Sequence, residues 1–197
     1  MTTDAELELK QQKANFLIHA FAVAHGSVAF LLANTVILDG PILAGLTVWM
    51  IQKLGKLYGK KDVNGYQVFW NIFAYVSGTW LASRALFFIP GLGNWASAAA
   101  TMLITETIGW ACIIIFSNNL DPTSIPKEQW KKIIKKAKKE GKKSNRENKE
   151  VLSKATKDEK NQLKSIGDKL RDDSISDEDK EELLNLLTKI YEEIKNR

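Results

Sequence analysis

Two side chains in this sequence are charged where charge is costly. Arg84 and Glu106 bracket the uncharged run 85–105, and residues 14–38 and 63–83 are also free of charge. An ionisable group at membrane depth marks a conduction path, a proton relay or a structural ion pair. The two could pair with each other, although the spacing is imperfect. Arg84 lies eight residues before Leu92 and Glu106 fourteen after it, a mismatch of roughly 9 Å at the ~1.5 Å rise of a helix. A structural pair, or snorkelling of each side chain, is the simpler reading.

Other chemistry-bearing residues point to less. His19 and His25 are six apart, on different faces of a helix, with no Cys, Asp or Glu at metal-ligand spacing; they read as packing histidines, and no metal site is expected. Gly91-Leu92-Gly93-Asn94-Trp95-Ala96 matches the G-x-G-x-x-A outline of a dinucleotide turn. Its required acid about 20 residues on is missing, and no alternating strand–helix pattern surrounds it. Gly55-Lys56-Leu57-Tyr58-Gly59-Lys60-Lys61 lacks the spacing and the hydroxyl of a phosphate-binding loop. No cofactor and no small-molecule substrate are expected. Cys112, the single cysteine, excludes an intramolecular disulfide. With no G-x-S-x-G, no H-E-x-x-H and no Cys/His pairing, nothing points to an enzyme.

The elements that hold these residues fall into two materials. Residues 14–116 contain eight charged side chains and residues 117–197 contain 38. Runs longer than the ~18 apolar residues of a spanning helix suggest membrane insertion. The first run is not a cleavable signal, because MTTDAELELKQQK is acidic before it is basic and the uncharged run exceeds the usual ~7–15 residues. Four helices are expected, over about 14–38, 41–58, 66–89 and 95–116. The Asp39-Gly40-Pro41 and Pro90–Asn94 turns would close two hairpins, and the second helix is short enough to dip rather than span. Tryptophans at 49, 70, 80, 95 and 110 suit headgroup depth or plain core packing. The lysine-rich loop 53–61 and the basic start of the tail place both on the cytoplasmic side.

The tail reads as three helical pieces. In the first, Trp130, Ile133, Ile134 and Ala137 share a face and Gly141 is a stop signal. Residues 127–146 carry ten basic and two acidic side chains. Lys127, Lys131, Lys132, Lys135, Lys136 and Lys139, with Trp130, are therefore candidates for contact with an anionic leaflet. Nucleic acid is the weaker alternative, because the run follows a membrane-length helix. A second piece spans 145–172. The third opens on the capping box Ser176–Asp179. It presents Leu183, Leu184, Leu187, Ile190, Tyr191 and Ile194 on one face, which must bury against another tail helix, a second copy or a partner protein.

Residues 14–116 resemble the YcjF-like bacterial membrane domain often fused behind Era-type GTPases. The resemblance is carried by IHAFAVAHGSVAF, by ILDGPILAGLTVWMIQKLGKLYG and by the closing IPGLGNWASAAATMLITETIGWACIIIF. It implies an accessory membrane domain without its GTPase, and supplies no catalytic residues.

The sequence thus leads to an all-α integral membrane protein. A polar segment (1–13) precedes two helical hairpins (14–116) and a charged cytoplasmic helical tail (117–197). A multi-pass protein of the bacterial inner membrane is expected, with the N-terminus and tail in the cytoplasm. Its expected role is that of a non-enzymatic anchor or adaptor whose tail meets lipid and recruits a protein partner, with a GTPase as one candidate. A small oligomeric pore using Arg84 and Glu106 is the alternative, and a soluble helical bundle that inserts conditionally is the third reading.

Overall fold

A computed structural model describes residues 4–32, 40–60, 63–84, 93–170, 172 and 174–197, without the side chains of 4, 40–43, 76–84 and 93. Seven helices make up the described chain: α1 (Asp4–Leu32), α2 (Gly40–Leu57), α3 (Gly65–Arg84), α4 (Gly93–Ser117), α5 (Lys127–Lys154), α6 (Lys157–Leu170) and α7 (Asp177–Lys195). No strand occurs among the described residues. The Pro90–Asn94 turn and Asp39 lie largely or wholly outside them, as does the side chain of Arg84, the last residue of α3.

Local chemistry sets most boundaries. Gly59 takes φ +76° after α2, and the Lys60 N–H donates to the Gly55 carbonyl at 2.8 Å. Asn119 takes φ 53° after α4, with the Leu120 N–H donating to Ile115 at 3.0 Å. Both are Schellman-type ends, in which a left-handed residue satisfies the last carbonyls. The two ends sit side by side, and Lys60 Nζ donates to Asn119 Oδ1 at 2.7 Å. α7 is capped by Ser176, whose hydroxyl accepts from the Asp179 N–H at 3.1 Å, as its spacing predicts.

Two boundaries differ from the expectation. α1 begins at Asp4, ten residues before the apolar run, because ELELKQQKA consists of good helix formers and needs no burial to stay helical. Gly141 does not stop α5, which continues to Lys154. A break comes instead at Ala155, where Thr156 and Glu159 form a reciprocal capping box: Thr156 N–H donates to Glu159 Oε2 at 2.8 Å and Glu159 N–H to Thr156 Oγ1 at 3.2 Å.

α1 and α4 form the centre of the bundle and run antiparallel. A Cβ on Gly109 would stand 2.6 Å from Ile18, and one on Gly26 would stand 2.7 Å from Met102. Each helix therefore offers a glycine to receive a side chain of the other. Phe30 meets Trp95 edge-on with ring centroids 5.0 Å apart. α1 and α4 are each long and apolar enough to cross a membrane by length and composition. In this structure they are covered, with 61% and 72% of their apolar windows buried inside the protein.

Much of that cover is the charged tail. α5 lies antiparallel along α4, α6 packs on α1 and α2, and α7 closes over α1, α5 and α6. The break in composition at residue 117 is therefore not a break in packing. One hydrophobic core runs from Ala14 to Ile194.

Candidate functional site

The site is built where α1, α4 and α5 meet. α4 carries one acidic or basic residue within its apolar run, Glu106, and the fold buries it completely. Two elements meet its Oε1. His19 Nδ1, from the middle of α1, lies 2.6 Å away. Asn148 Nδ2, from the buried face of α5, donates at 2.6 Å. The His19 imidazole and the Glu106 carboxyl are thus joined by a short hydrogen bond that ties α1 to α4.

Gly141 makes this junction possible. A Cβ there would lie 3.1 Å from Glu106 Cβ and 3.2 Å from the Thr107 backbone nitrogen. Glycine lets the two helix backbones approach, and two turns further along α5 Asn148 reaches the carboxylate. Asn145 Nδ2 adds a bond to the Ala99 carbonyl at 3.3 Å, so one turn of α5 is fastened to α4 by two amide side chains.

Several buried polar atoms here have no hydrogen-bond partner: Glu106 Oε2, Asn148 Oδ1, Asn145 Oδ1 and Tyr191 Oη. Burial raises the Tyr191 hydroxyl well above its ordinary value, with Glu147 and Glu106 adding to the effect. Unpaired buried polar atoms each cost about 1–3 kcal/mol. The groups that hold the junction together therefore also carry a desolvation cost.

Glu106 thus faces His19 and Asn148, while the side chain of Arg84, with which it could pair across the hairpin, lies outside the described residues. His25, six residues beyond His19, packs as expected: its Nδ1 donates to the Phe21 carbonyl at 2.8 Å, and its Nε2 lies 3.3 Å from Thr47 Oγ1.

The structure also sorts the tail candidates. Lys127, Lys131, Lys132, Lys135, Lys136 and Lys139 are all exposed. With Lys142, Lys143 and Arg146 they make a nearly continuous cationic face directed away from α4. Trp130 does not join them. It is buried and stacks on Tyr75 of α3, with centroids 5.7 Å apart and planes 19° apart. Ile133, Ile134 and Ala137 are buried beside it, so the apolar face expected to dip into lipid is occupied by the protein itself. The face of α7 is likewise taken. Leu187, Ile190, Tyr191 and Ile194 are buried, Leu183 and Leu184 half-buried, and Phe16 of α1 meets Tyr191 edge-on at 5.4 Å.

A further contact joins α2 to α7. Lys53 lies 4.7 Å over the Trp49 ring and is ion-paired with Glu181. Burial lowers its pKa from 10.5 to about 8, with Lys56 adding to the shift and Asp177 opposing it.

No group of His, Cys, Asp and Glu able to hold a metal ion occurs among the described residues. The chain matches no family model, no curated protein and no solved structure. The site is therefore interpreted from its own residues.

Proposed function

We propose that this is a non-enzymatic, membrane-associated helical protein that keeps an insertion-competent helix pair, α1 and α4, wrapped in its own charged tail. In the closed state the lysine face of α5 meets an anionic leaflet. On opening, α1 and α4 become available to the bilayer, and the α7 face becomes available to a protein partner. This reading joins the adaptor role to conditional insertion, because the same surfaces that would enter lipid or bind a partner now cover one another.

The observation that carries it is the bond from Asn148, on the lysine-rich helix, to Glu106, the carboxylate within the apolar run of α4. A helix with ten basic residues in 127–146 does not belong in hydrocarbon. While α5 lies along α4, that side of α4 is closed to lipid.

Flotation with phosphatidylglycerol-containing vesicles, followed by alkaline carbonate, tests the proposal. Wild type should float, and carbonate should release it. Asn148→Leu should leave a larger carbonate-resistant fraction. Wild type wholly resistant to carbonate, or a variant extracted as fully as wild type, overturns the closed-cover reading.

A further inference from the structure

α2 and α7 face each other across a gap. Among the described residues no Cα of α2 comes within 8 Å of one in α7, so only side chains bridge the space. The bridge is the ion pair of Lys53 with Glu181. Around it lies a polar cavity of about 200 Å³, lined by Lys53, Lys56 and Lys60 from one side and by Asp177 and Glu181 from the other.

In that cavity three ammonium groups meet two carboxylates. The Lys53 side chain is only 10% exposed, whereas the Glu181 carboxylate that meets it is half exposed. Lys56 is exposed, and Lys60 donates to the neutral Asn119 side chain. Burial and the neighbouring Lys56 hold the Lys53 pKa at about 8 even with Asp177 nearby, so the acids of α7 do not fully offset the cost of burying this charge. An anion placed between the helices is attracted by Lys53, Lys56 and Lys60 together.

An apolar groove adjoins the cavity and shares its lysines. Lys53, Lys56 and Glu181 line both spaces. The groove encloses about 600 Å³, and Phe16 and Leu17 of α1, Leu57 of α2 and Leu184 of α7 form its apolar walls. That volume falls within the roughly 300–1,000 Å³ of small-molecule sites. Leu9 of α1 is half exposed and extends the apolar wall toward solvent, and Lys13 adds a further cation. An apolar groove that ends on clustered lysines matches a molecule with an anionic head and a hydrocarbon chain. Free phosphate makes no use of the groove.

We infer that the gap between α2 and α7 binds an anionic phospholipid, with its phosphate on Lys53 and Lys56, one acyl chain along the groove, and the Glu181 carboxylate as the stand-in that it displaces. Two free phosphate oxygens can bridge two lysines, which the single Glu181 contact does not do. Phosphate and Glu181 compete for the same ammonium, so occupancy frees the first turns of α7. The inference rests on the membrane-associated reading above and names the ligand that begins its opening.

The test titrates the full chain with dodecanoyl lysophosphatidylglycerol as dispersed monomer, followed by calorimetry and hydrogen exchange. The lipid should bind about tenfold or more tighter than inorganic phosphate, and exchange across residues 177–186 should accelerate on binding. Lys53→Met/Lys56→Gln, shown to be folded by its circular dichroism and melting midpoint, should bind the lipid about tenfold or more weaker. Glu181→Gln removes the competitor and should bind it several-fold tighter, an effect that a merely structural ion pair would not produce. Lys131→Glu/Lys132→Glu/Lys135→Glu should bind the monomer as wild type does, which separates this site from the α5 face. Lipid binding unchanged in Lys53→Met/Lys56→Gln, or not strengthened in Glu181→Gln, overturns the inference; flotation of wild type with phosphatidylglycerol vesicles then leaves the membrane reading standing. Inorganic phosphate bound as tightly as the lipid assigns the lysines to a free anion and overturns the inference. Wild type that ignores both the monomer and the vesicles overturns both readings.

Discussion

Replacing Asn148 by leucine isolates the junction between the tail and the apolar pair. The two side chains share the same branched four-atom skeleton, so the change removes a donor without opening a cavity. A hydrogen bond to a charged group contributes about 1.5–3 kcal/mol, and Asn148 makes one at 2.6 Å to a fully buried carboxylate. Part of the loss is returned, because the Asn148 Oδ1 is buried without a partner and its desolvation cost disappears. The net effect is about 1–2 kcal/mol against α5 docking, or roughly 5–30-fold at 1.4 kcal/mol per factor of ten. Hydrogen exchange across residues 127–154 measures it, since a lysine-rich helix freed from α4 has little intrinsic stability. Cys112, buried in α4 and the single cysteine, gives a second probe through its thiol-labelling rate. Exchange in α5 should accelerate by the stated factor while Cys112 labelling stays near wild type. Exchange within about twofold of wild type would refute the role of Asn148. A matching rise at Cys112 would show that the whole bundle opens and not the tail alone.

Other expectations follow from the same contacts. Gly109→Ala places a methyl within 2.6–2.8 Å of three atoms of β-branched Ile18 and should cost about 1–3 kcal/mol in denaturant unfolding. Gly26→Ala meets Cγ and Sδ of Met102, an unbranched side chain with more freedom to shift, and should cost less. Lys53 has a folded pKa of about 8, lowered by burial, against 10.5 when unfolded. The unfolded chain then binds more protons between these values, so this residue makes stability rise with pH from about 8 to 10.5, and its penalty is full below 8. Lys53→Met should therefore raise the melting midpoint at neutral pH, and the difference should shrink across that window. Ser176→Ala removes the α7 cap and should lower stability by about 1 kcal/mol in the same unfolding assay.

Much of the architecture was legible because its signals are local. The Trp130, Ile133, Ile134 and Ala137 stripe and the Ser176 cap follow from spacing alone. What such a stripe packs against is a long-range matter, and apolarity does not distinguish lipid from α4. Gly141 read as an end because glycine often terminates helices, whereas here it admits Glu106 and Thr107 of α4. The Glu106 partners were hidden for a related reason. Counting about a turn finds only neighbours in sequence, and His19 is 87 residues away. A usable signal was nonetheless present: a histidine near the middle of one uncharged run and a glutamate near the middle of another. Thr156-Lys157-Asp158-Glu159 also carried a capping signature that places the α5–α6 break.

The division of labour at the junction bears on how opening would work. His19 and Glu106 sit on α1 and α4, the two helices proposed to insert, and meet at 2.6 Å. On the proposed opening this pair stays together and enters the bilayer as a unit, sparing each partner the cost of an unpaired charge in hydrocarbon. The tail contributes only the neutral amide of Asn148. Release of α5 at this point breaks a hydrogen bond and not an ion pair, and it leaves behind a smaller barrier. Glu106→Gln should then have a different consequence from Asn148→Leu. The Gln amide still offers an oxygen to Asn148, so α5 stays docked, but the carboxyl group that meets the His19 imidazole is gone and the α1–α4 contact weakens. In the two-probe experiment, Cys112 labelling should rise more in Glu106→Gln than in Asn148→Leu, and α5 exchange should rise less. The reverse order would mean that Glu106 serves the tail and not the apolar pair.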